Sequence, residues 1–249
     1  MYNPFSLNGK TILVTGASSG IGRVVSVECS KLGAKVVITG RNREFLKDTF
    51  EQLEGDGHIS IPADLTEPFD MDRLVKECPE VNGFVSNAGI SKVLLVKSIN
   101  SVILDDIFNI NTKAPILLTQ KLIKSKKIKN QSSIVYNSSI SGLFCVNIGE
   151  SIYAASKGAI NSFAKGAALD LSKQQIRVNC VNPGIILTDL YMNNEFLTQF
   201  DKDEKMKSFP LKRFGKPTDV AFAIIYLLSD AASWVTGTNL KIDGGYTLI

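Results

Sequence analysis

The sequence predicts an α/β fold in which helices cover both faces of a doubly wound, seven-stranded parallel sheet. Short runs rich in valine and isoleucine alternate with longer stretches of helical periodicity, and this alternation is typical of parallel sheets. Most of the short runs are continuously apolar, as expected of strands that are buried on both faces. The 249 residues contain no internal repeat and no linker rich in Pro, Gly or Ser, so we predict a single domain over residues 1–249.

The elements follow one another in a regular order. The first strand, Thr11–Thr15, leads through a glycine-rich turn into a helix whose apolar stripe includes Ile21, Val24 and Val25. A long helix, rich in Ala, Ser and Lys, is predicted over Ile152–Lys173. The other strands are predicted at Lys35–Thr39, His58–Pro62, Gly83–Ser86, Ser133–Asn137, Arg177–Val181 and Asn239–Ile242.

One segment, Asp189–Phe209, departs from this alternation. It carries Met192, Phe196 and Phe200 among charged residues and has no strand with which to pair. A mobile lid over residues 189–209 and a static surface helix both fit this amphipathic pattern. The sequence leaves these two interpretations open.

Composition argues against several classes of function. Hydrophobic residues make up 44% of the chain and charged residues 21%, which is the profile of a soluble globular protein. The net charge of +4 is too small to indicate nucleic-acid binding, and the lysine cluster between Lys121 and Lys129 fits a solvated helix end. The longest apolar run, Ala221–Leu228, is far shorter than the ~18 residues that span a bilayer, and residues 1–10 do not resemble a secretory signal. We therefore expect no membrane association and a cytoplasmic location.

Cysteine and histidine usage argues against metal chemistry. The four cysteines are far apart and form no C-x-x-C pair, which favours a reducing compartment and disfavours structural zinc. His58 is the only histidine, and it stands beside a predicted strand, where a surface role is the simpler interpretation. No metal site is predicted.

The turn after the first strand has the features of a phosphate-binding loop. Residues 15–22 read Thr-Gly-Ala-Ser-Ser-Gly-Ile-Gly. Glycines let the backbone approach a ligand closely, and free amides at a helix start attract a pyrophosphate. The G-x-x-x-G-x-G spacing differs from the common G-x-G-x-x-G fingerprint, and alone it fits a simple tight turn equally well. Its place between a strand and a helix favours dinucleotide binding, with predicted contacts from Gly16, Ser18, Ser19, Gly20, Ile21 and Gly22.

The end of the second predicted strand indicates which dinucleotide is bound. NAD sites usually place an acidic residue there, whereas NADP sites offer an arginine to the 2′-phosphate. This strand runs into Gly40-Arg41-Asn42-Arg43, with no carboxylate at its end. Arg41 therefore favours NADP and makes NAD the weaker alternative, although a solvated loop arginine would give the same sequence.

Ser139, Tyr153 and Lys157 form a candidate catalytic set. Tyr153 and Lys157 are four residues apart, a spacing that brings two side chains to one face of a helix. Because an ammonium near a phenol favours the phenolate, we expect Lys157 to lower the pKa of Tyr153 from about 10. Ser139 ends a predicted strand, where its hydroxyl is placed to bind a substrate carbonyl. Strand alternation would send the neighbouring Ser138 to the opposite face, and the position three residues before Gly142 favours Ser139.

These motifs together resemble the short-chain dehydrogenases/reductases, in their single-domain branch. The resemblance runs from Lys10 to Tyr246 and departs only mildly at Ser86, where the family has asparagine. It implies a Rossmann fold and an NAD(P)-dependent oxidoreductase that interconverts a carbonyl and a secondary alcohol by hydride transfer. The landmarks that occur in the family's order and spacing are Thr15–Gly22, Asp64-Leu65, Asn87-Ala88-Gly89, Asn111, Ser139, Tyr153, Lys157 and Pro183-Gly184.

The resemblance also implies roles for individual residues. Asp64 would accept a hydrogen bond from the adenine amino group, and Asn111 would bind a water that links Lys157 to solvent. Tyr153 would act as the general acid and base, while Lys157 binds the nicotinamide ribose. The residues expected to line the rest of the cofactor are Leu65 at the adenine, Asn87, Ala88 and Gly89 at the adenosine ribose, and Pro183, Gly184, Ile186 and Thr188 at the nicotinamide and pyrophosphate.

Three functions follow from the sequence and its resemblance. The first is a carbonyl reductase or alcohol dehydrogenase for a small ketone, secondary alcohol or acyl thioester, similar to 3-oxoacyl-carrier-protein reductases. The second is a non-catalytic NADP-binding sensor or scaffold, and the complete catalytic set disfavours it. The third is a sugar-nucleotide epimerase or dehydratase, which is disfavoured because the chain has no room for the added substrate domain that such enzymes usually need. Apolar residues between Leu143 and Ile148 favour a neutral or lipophilic carbonyl, although core packing explains them equally well. The family also implies a homo-oligomer, either tetramer or dimer.

Overall fold

A seven-stranded parallel sheet lies at the centre of the computed structural model, which describes residues 2–188 and 199–248. Each neighbouring pair of strands is parallel, and the strand order is β3-β2-β1-β4-β5-β6-β7. The strands are β1 (Thr11–Thr15), β2 (Lys35–Thr39), β3 (Ile59–Ser60), β4 (Val81–Ser86), β5 (Ile128–Asn137), β6 (Arg177–Pro183) and β7 (Asn239–Ile242). The predicted Rossmann-type, doubly wound sheet is confirmed, because the order reverses between β1 and β4.

Helices connect the strands and cover both faces of the sheet. A π-helical turn at Asn109–Lys113 joins the fourth helix to the fifth. In the described residues the helices are α1 (Gly20–Lys31), α2 (Arg43–Phe50), α3 (Pro68–Glu77), α4 (Ser101–Phe108), α5 (Ala114–Lys124), α6 (Ser151–Asp170), α7 (Gln199–Lys207) and α8 (Pro217–Leu228).

The core consists of two apolar layers, one on each face of the sheet. Alternate residues of β1 enter different layers: Leu13 packs with α3, α5 and α6, whereas Ile12 and Val14 pack with α1 and α8. A strand buried on both faces needs apolar side chains at every position, which explains why these runs are continuous. In the part of the chain that the structure describes, no helix combines the length and the apolar character needed to cross a bilayer.

Several predicted boundaries were wrong. The third strand is only Ile59–Ser60. Just before it, the His58 side chain bonds to the second strand: its Nδ1 accepts from the Val36 amide at 3.0 Å. The half-buried His58 is therefore structural rather than a simple surface residue. β5 begins at Ile128 instead of Ser133, with a register irregularity where it pairs with β4.

The ends of two helical segments also differ from prediction. α6 ends at Asp170 rather than Lys173, and a 3₁₀ turn over Ser172–Gln174 follows it. In the segment predicted as a lid or surface helix, residues 199–207 form α7, while residues 189–198 lie outside the described part of the chain. The lid interpretation therefore stays a prediction.

Candidate active site

A cleft of about 460 Å³ lies at the carboxyl ends of β1, β4, β5 and β6, where the strand order reverses. Open α/β sheets bind their ligands at this point. Three predicted site residues do not line the cleft: Gly22, Asp64 and Asn111. The predicted site residues that line the cleft are Gly16, Ser18, Ser19, Gly20, Ile21, Arg41, Leu65, Asn87, Ala88, Gly89, Ser139, Tyr153, Lys157, Pro183, Gly184, Ile186 and Thr188.

The turn between β1 and α1 has no room for side chains at Gly16 and Gly22. Gly16 has φ +63°, and a Cβ there would lie 2.8 Å from the Cα of Ala88. A Cβ on Gly22 would collide with the carbonyl oxygen of Gly16. Ser19, at the start of α1, makes no side-chain capping bond, so no side chain competes for the helix-start amides. This backbone cradle fits a pyrophosphate at the positive end of a helix.

Asn87 ties the cradle to the centre of the sheet. Its Nδ2 donates to the carbonyl oxygens of Thr15 and Gly16 at 3.1 and 3.2 Å. Its Oδ1 accepts from Asn137 Nδ2 at 2.8 Å. The ends of β1, β4 and β5 are thereby fixed to one another beside the glycine turn.

Arg41 and Asp64 face each other at the ends of β2 and β3. An Arg41 guanidinium nitrogen lies 3.7 Å from Asp64 Oδ2, and the arginine side chain is 65% exposed. Asp64 Oδ1 accepts from the backbone amide and the hydroxyl of Thr66 at 2.9 and 2.7 Å. Arg41 therefore lines the cleft with an exposed positive charge, and its ion pair with Asp64 is a single long contact.

Ser139, Tyr153 and Lys157 meet in the wall of the cleft. Tyr153 and Lys157 lie on the same face of α6, and Lys157 Nζ is 5.8 Å from the centre of the Tyr153 ring. Lys157 is buried, and its Nζ donates to the carbonyl oxygen of Asn137 at 2.8 Å. The Ser139 and Tyr153 side chains both line the cleft here, and Ser139 lies near enough to lower the pKa of the phenol.

Burial dominates the acid–base properties of this group. It raises the pKa of Tyr153 to about 12, against a smaller lowering by the hydrogen bond from Ser139, and the charge of Glu150 adds to the rise. It lowers the pKa of Lys157 to about 8. The expectation that Lys157 gives Tyr153 a depressed pKa is therefore wrong for the protein groups alone, since removing the phenol and the amine from water disfavours both charged forms.

Asn111 sits in the π-helical turn and joins two segments of the site. Its Oδ1 accepts from the Ile90 amide at 2.8 Å, and its Nδ2 donates to the Ile90 carbonyl at 2.8 Å and to Ser156 Oγ at 3.1 Å. The side chain thus holds the segment after β4 against α6. Its predicted part in a water relay stays a prediction.

Sequence reasoning missed several residues of the cleft. Ser138 was expected on the opposite face from Ser139, but both line the cleft, because β5 ends at Asn137 and strand alternation stops there. The Ser138 hydroxyl donates to the carbonyl oxygen of Lys157 at 3.2 Å. Most of the missed residues adjoin predicted ones, and that adjacency is the signal that finds them: Gly40, Asn42, Ala63, Ile90, Ser91, Ile110, Asn137 and Ser138.

Comparison with known proteins agrees with this geometry. A family model described as Enoyl-(Acyl carrier protein) reductase matches residues 16–247, a range that holds the glycine turn and the Ser139, Tyr153 and Lys157 group. The chain belongs to the short-chain dehydrogenase/reductase family. This dehydrogenase/reductase is accordingly an NAD(P)-dependent oxidoreductase.

Its relatives in the family differ in substrate. The 3-oxoacyl-[acyl-carrier-protein] reductase FabG of Rickettsia prowazekii is 33% identical over 98% of this chain and 99% of its own. An L-xylulose reductase of Caenorhabditis elegans is 32% identical over 98% of each chain. The structure of a putative short-chain alcohol dehydrogenase from Sinorhizobium meliloti superposes with a TM-score of 0.92 at 28% identity, covering 99% of both chains.

Proposed function

We propose that this short-chain dehydrogenase/reductase uses NADP to interconvert a carbonyl and a secondary alcohol, with Tyr153 as the general acid and base. The observation that carries the proposal is the meeting of Ser139, Tyr153 and Lys157 in one wall of the cleft. A non-catalytic sensor would have no need for a buried lysine beside a serine and a tyrosine that line the same cleft. The complete set therefore favours an enzyme.

The residues divide the work at the substrate oxygen. In reduction, NADPH supplies the hydride when it is bound. The Ser139 and Tyr153 hydroxyls bind the carbonyl oxygen, and Tyr153 then donates its proton to it. A pKa of about 12 keeps the phenol protonated and ready to donate near neutral pH. The Lys157 ammonium, which binds the nicotinamide ribose in this proposal, stabilises the phenolate that remains.

Arg41 supports NADP as the cofactor. It lines the cleft beyond β2, and the strand end offers Gly40 in place of an acidic residue. A 2′-phosphate near Arg41 would replace the 3.7 Å contact with Asp64 by a charge-assisted pair. The glycine turn, Asn87, Ala88 and Gly89, and the segment from Pro183 to Thr188 would hold the rest of the dinucleotide.

The wall beside the catalytic group supports a neutral, lipophilic substrate, with acyl thioesters among the candidates. Between Ser139 and Tyr153, Val146 is 57% exposed and Ile148 is 87% exposed, so core packing does not account for them. Val93 and Val96 are each 71% exposed, and their segment is joined to this loop by the bond from Leu94 N to Gly149 O at 2.8 Å. Exposed apolar side chains in these two adjoining segments suit an acyl chain better than a charged group.

A panel of ketones, sugars and 3-oxoacyl thioesters, assayed with NADPH and then with NADH, tests the proposal. We expect turnover of at least one neutral carbonyl, faster with NADPH, and none after Tyr153→Phe. Tyr153→Phe should leave the Kd for NADPH within about threefold, because the ring stays in place. Unchanged turnover in the Tyr153→Phe variant would refute the assigned mechanism.

A further inference from the structure

Glu150 holds together the loop that connects Ser139 to Tyr153. Its Oε2 accepts a hydrogen bond from Ser141 Oγ at 2.9 Å and from Asn147 Nδ2 at 3.1 Å, with the Asn147 amide at 3.4 Å. The side chain is half-buried, and Glu150 is the N-cap residue at the start of α6, three residues before Tyr153. Bonds to a carboxylate are roughly twice as strong as neutral ones, so Glu150 is well suited to fix this loop.

The bonds around Glu150 continue to the catalytic serine. Ser141, whose hydroxyl is bound by Glu150, donates its backbone N–H to Ser139 Oγ at 3.1 Å. A hydroxyl that accepts in one direction is left to donate in another. The Ser139 O–H is thereby left to donate toward the cleft, which Ser139 and Tyr153 both line.

The same bonds continue in the other direction to α7. The Tyr246 hydroxyl donates to Asn147 Oδ1 at 3.2 Å and accepts from Lys205 Nζ of α7 at 2.9 Å. The Tyr246 ring also stacks on Phe209, with ring centres 4.9 Å apart. A continuous chain of hydrogen bonds thus runs from α7 to the catalytic hydroxyls.

We propose that Glu150 is a positioning residue for the reaction, acting through Ser141 on Ser139, and that Tyr246 connects this function to α7. This inference rests on the proposed carbonyl–alcohol chemistry of Tyr153. It assigns to Glu150 two separable effects: its hydrogen bonds orient Ser139, and its negative charge acts on the Tyr153 phenol.

The charge effect has a definite sign. Among the described residues, Glu150 and Lys157 are charged groups near Tyr153, and Lys205 and Asp243 lie with Glu150 around Cys145. A carboxylate disfavours the phenolate, so Glu150→Gln should lower the pKa of Tyr153 by roughly 0.5 to 1 unit. The limb of the pH profile that reports Tyr153 should move by the same amount to lower pH in alcohol oxidation.

The experiment compares Glu150→Gln, Glu150→Ala and wild type. Glu150→Ala should lower kcat roughly ten- to a hundredfold, because Ser139 loses its orientation, and Glu150→Gln should restore most of it while keeping the shifted profile. The Kd for NADPH should not change. Glu28→Gln, at an exposed α1 pair with Lys31, is the control and should behave as wild type.

An NMR titration of the tyrosine signals in the free protein measures the pKa of Tyr153 without any substrate. The signal of Tyr153 is assigned by its absence from the Tyr153→Phe variant. If wild type turns over no substrate, the proposed function fails, and the titration still decides on Glu150. The inference would be overturned if both Glu150 variants kept the Tyr153 titration and the kcat of the wild type.

A double-mutant cycle tests the connection to α7. Tyr246→Phe removes both hydrogen bonds of the phenol but keeps the ring stacked on Phe209, so it should reduce kcat/KM about three- to tenfold. Its effect should be smaller than additive when combined with Glu150→Ala, because both changes break one chain of bonds. Tyr226→Phe, on α8, is the matched control. Full additivity, or no effect of Tyr246→Phe, would refute the role of Tyr246.

Discussion

Lys157 is a buried cationic side chain, and its surroundings leave N–H donors open to a ligand. One of its three N–H donors is used by the Asn137 carbonyl, and a Cβ on Gly89 would lie 3.5 Å from Nζ. No side chain at Gly89 fills the space beside the amine, so ligand hydroxyls can approach it there. The same burial that lowers the pKa of Lys157 to about 8 also makes it a strong donor to a bound diol.

This burial makes stability depend on pH in a predictable direction. In the unfolded chain the amine returns to its ordinary pKa of 10.5, so between about pH 8 and 10.5 the unfolded state binds more protons than the folded state. The destabilisation due to Lys157 is complete below pH 8 and disappears as the pH rises through this window. Thermal unfolding of Lys157→Met and wild type should show a Tm difference that favours Met at pH 7 and shrinks toward pH 10.5. A difference independent of pH would contradict the buried, shifted amine.

Arg41 is the residue on which cofactor choice should depend. Arg41→Ala should weaken NADPH at least tenfold and NADH less than about twofold, because only NADPH carries the 2′-phosphate. Fluorescence titration of both cofactors measures this directly. Arg43→Ala is the matched control, since Arg43 is an exposed arginine two residues away that does not line the cleft. Equal losses of NADPH and NADH would refute the choice of NADP.

At the residue scale, sequence spacing predicted which side chains meet but not how they titrate. The four-residue interval put Tyr153 and Lys157 on one helix face, and the motif order placed Ser139 beside them. The sign of the Tyr153 shift depends on how much water the surrounding elements exclude. That quantity belongs to the packed structure, so spacing alone gave the wrong direction.

At the scale of elements, the turn between β1 and α1 shows how tightly backbone geometry constrains the cradle. Gly22→Ala should lower stability by ~1–3 kcal/mol and weaken NADPH binding at least tenfold, because its Cβ would collide with the Gly16 carbonyl. Gly166→Ala in α6 is the matched control: nothing lies within 4 Å of its Cβ position. That change should instead raise stability by ~0.5–1 kcal/mol. Thermal unfolding and nucleotide titration measure both, and a neutral Gly22→Ala would contradict the crowded turn.

The elements that sequence reasoning missed have tertiary causes. The π-helical turn at Asn109–Lys113 holds the Asn111 amide against Ile90 and Ser156, contacts that no local pattern predicts. β3 is only two residues long, and just before it His58 bonds to β2 through its side chain, a contact between segments more than twenty residues apart. β1, β2 and β7 were predicted to the residue, since their apolar runs end where the turns begin.

At the scale of the whole molecule, the alternation of short apolar runs and helices was enough to predict the class of sheet. The position of the cleft then follows from topology, because the strands on either side of the β1–β4 reversal send their connections to opposite faces. The Ser139–Ser141–Glu150–Asn147–Tyr246–Lys205 chain of bonds could not be predicted, as it joins segments almost a hundred residues apart.

The surface around β7 predicts self-association. β7 is an edge strand that pairs only with β6 in the described chain, and Trp234, just before it, is 98% exposed. An exposed strand edge is a template for pairing with another chain, and exposed apolar surface beside it adds a contact that such pairing would bury. We therefore expect a dimer or tetramer by light scattering, formed by copies of this chain that cover Trp234.

Trp234 is the only tryptophan, so its fluorescence reports this interface directly. Emission should be blue-shifted in the assembled protein and should shift to the red on dilution, as the indole returns to water. Trp234→Lys should reduce the assembled mass, whereas Phe69→Lys, at a 79% exposed aromatic residue of α3, should not. Water-exposed emission at every concentration, together with a monomer mass, would show that Trp234 is free and that this edge has no partner copy.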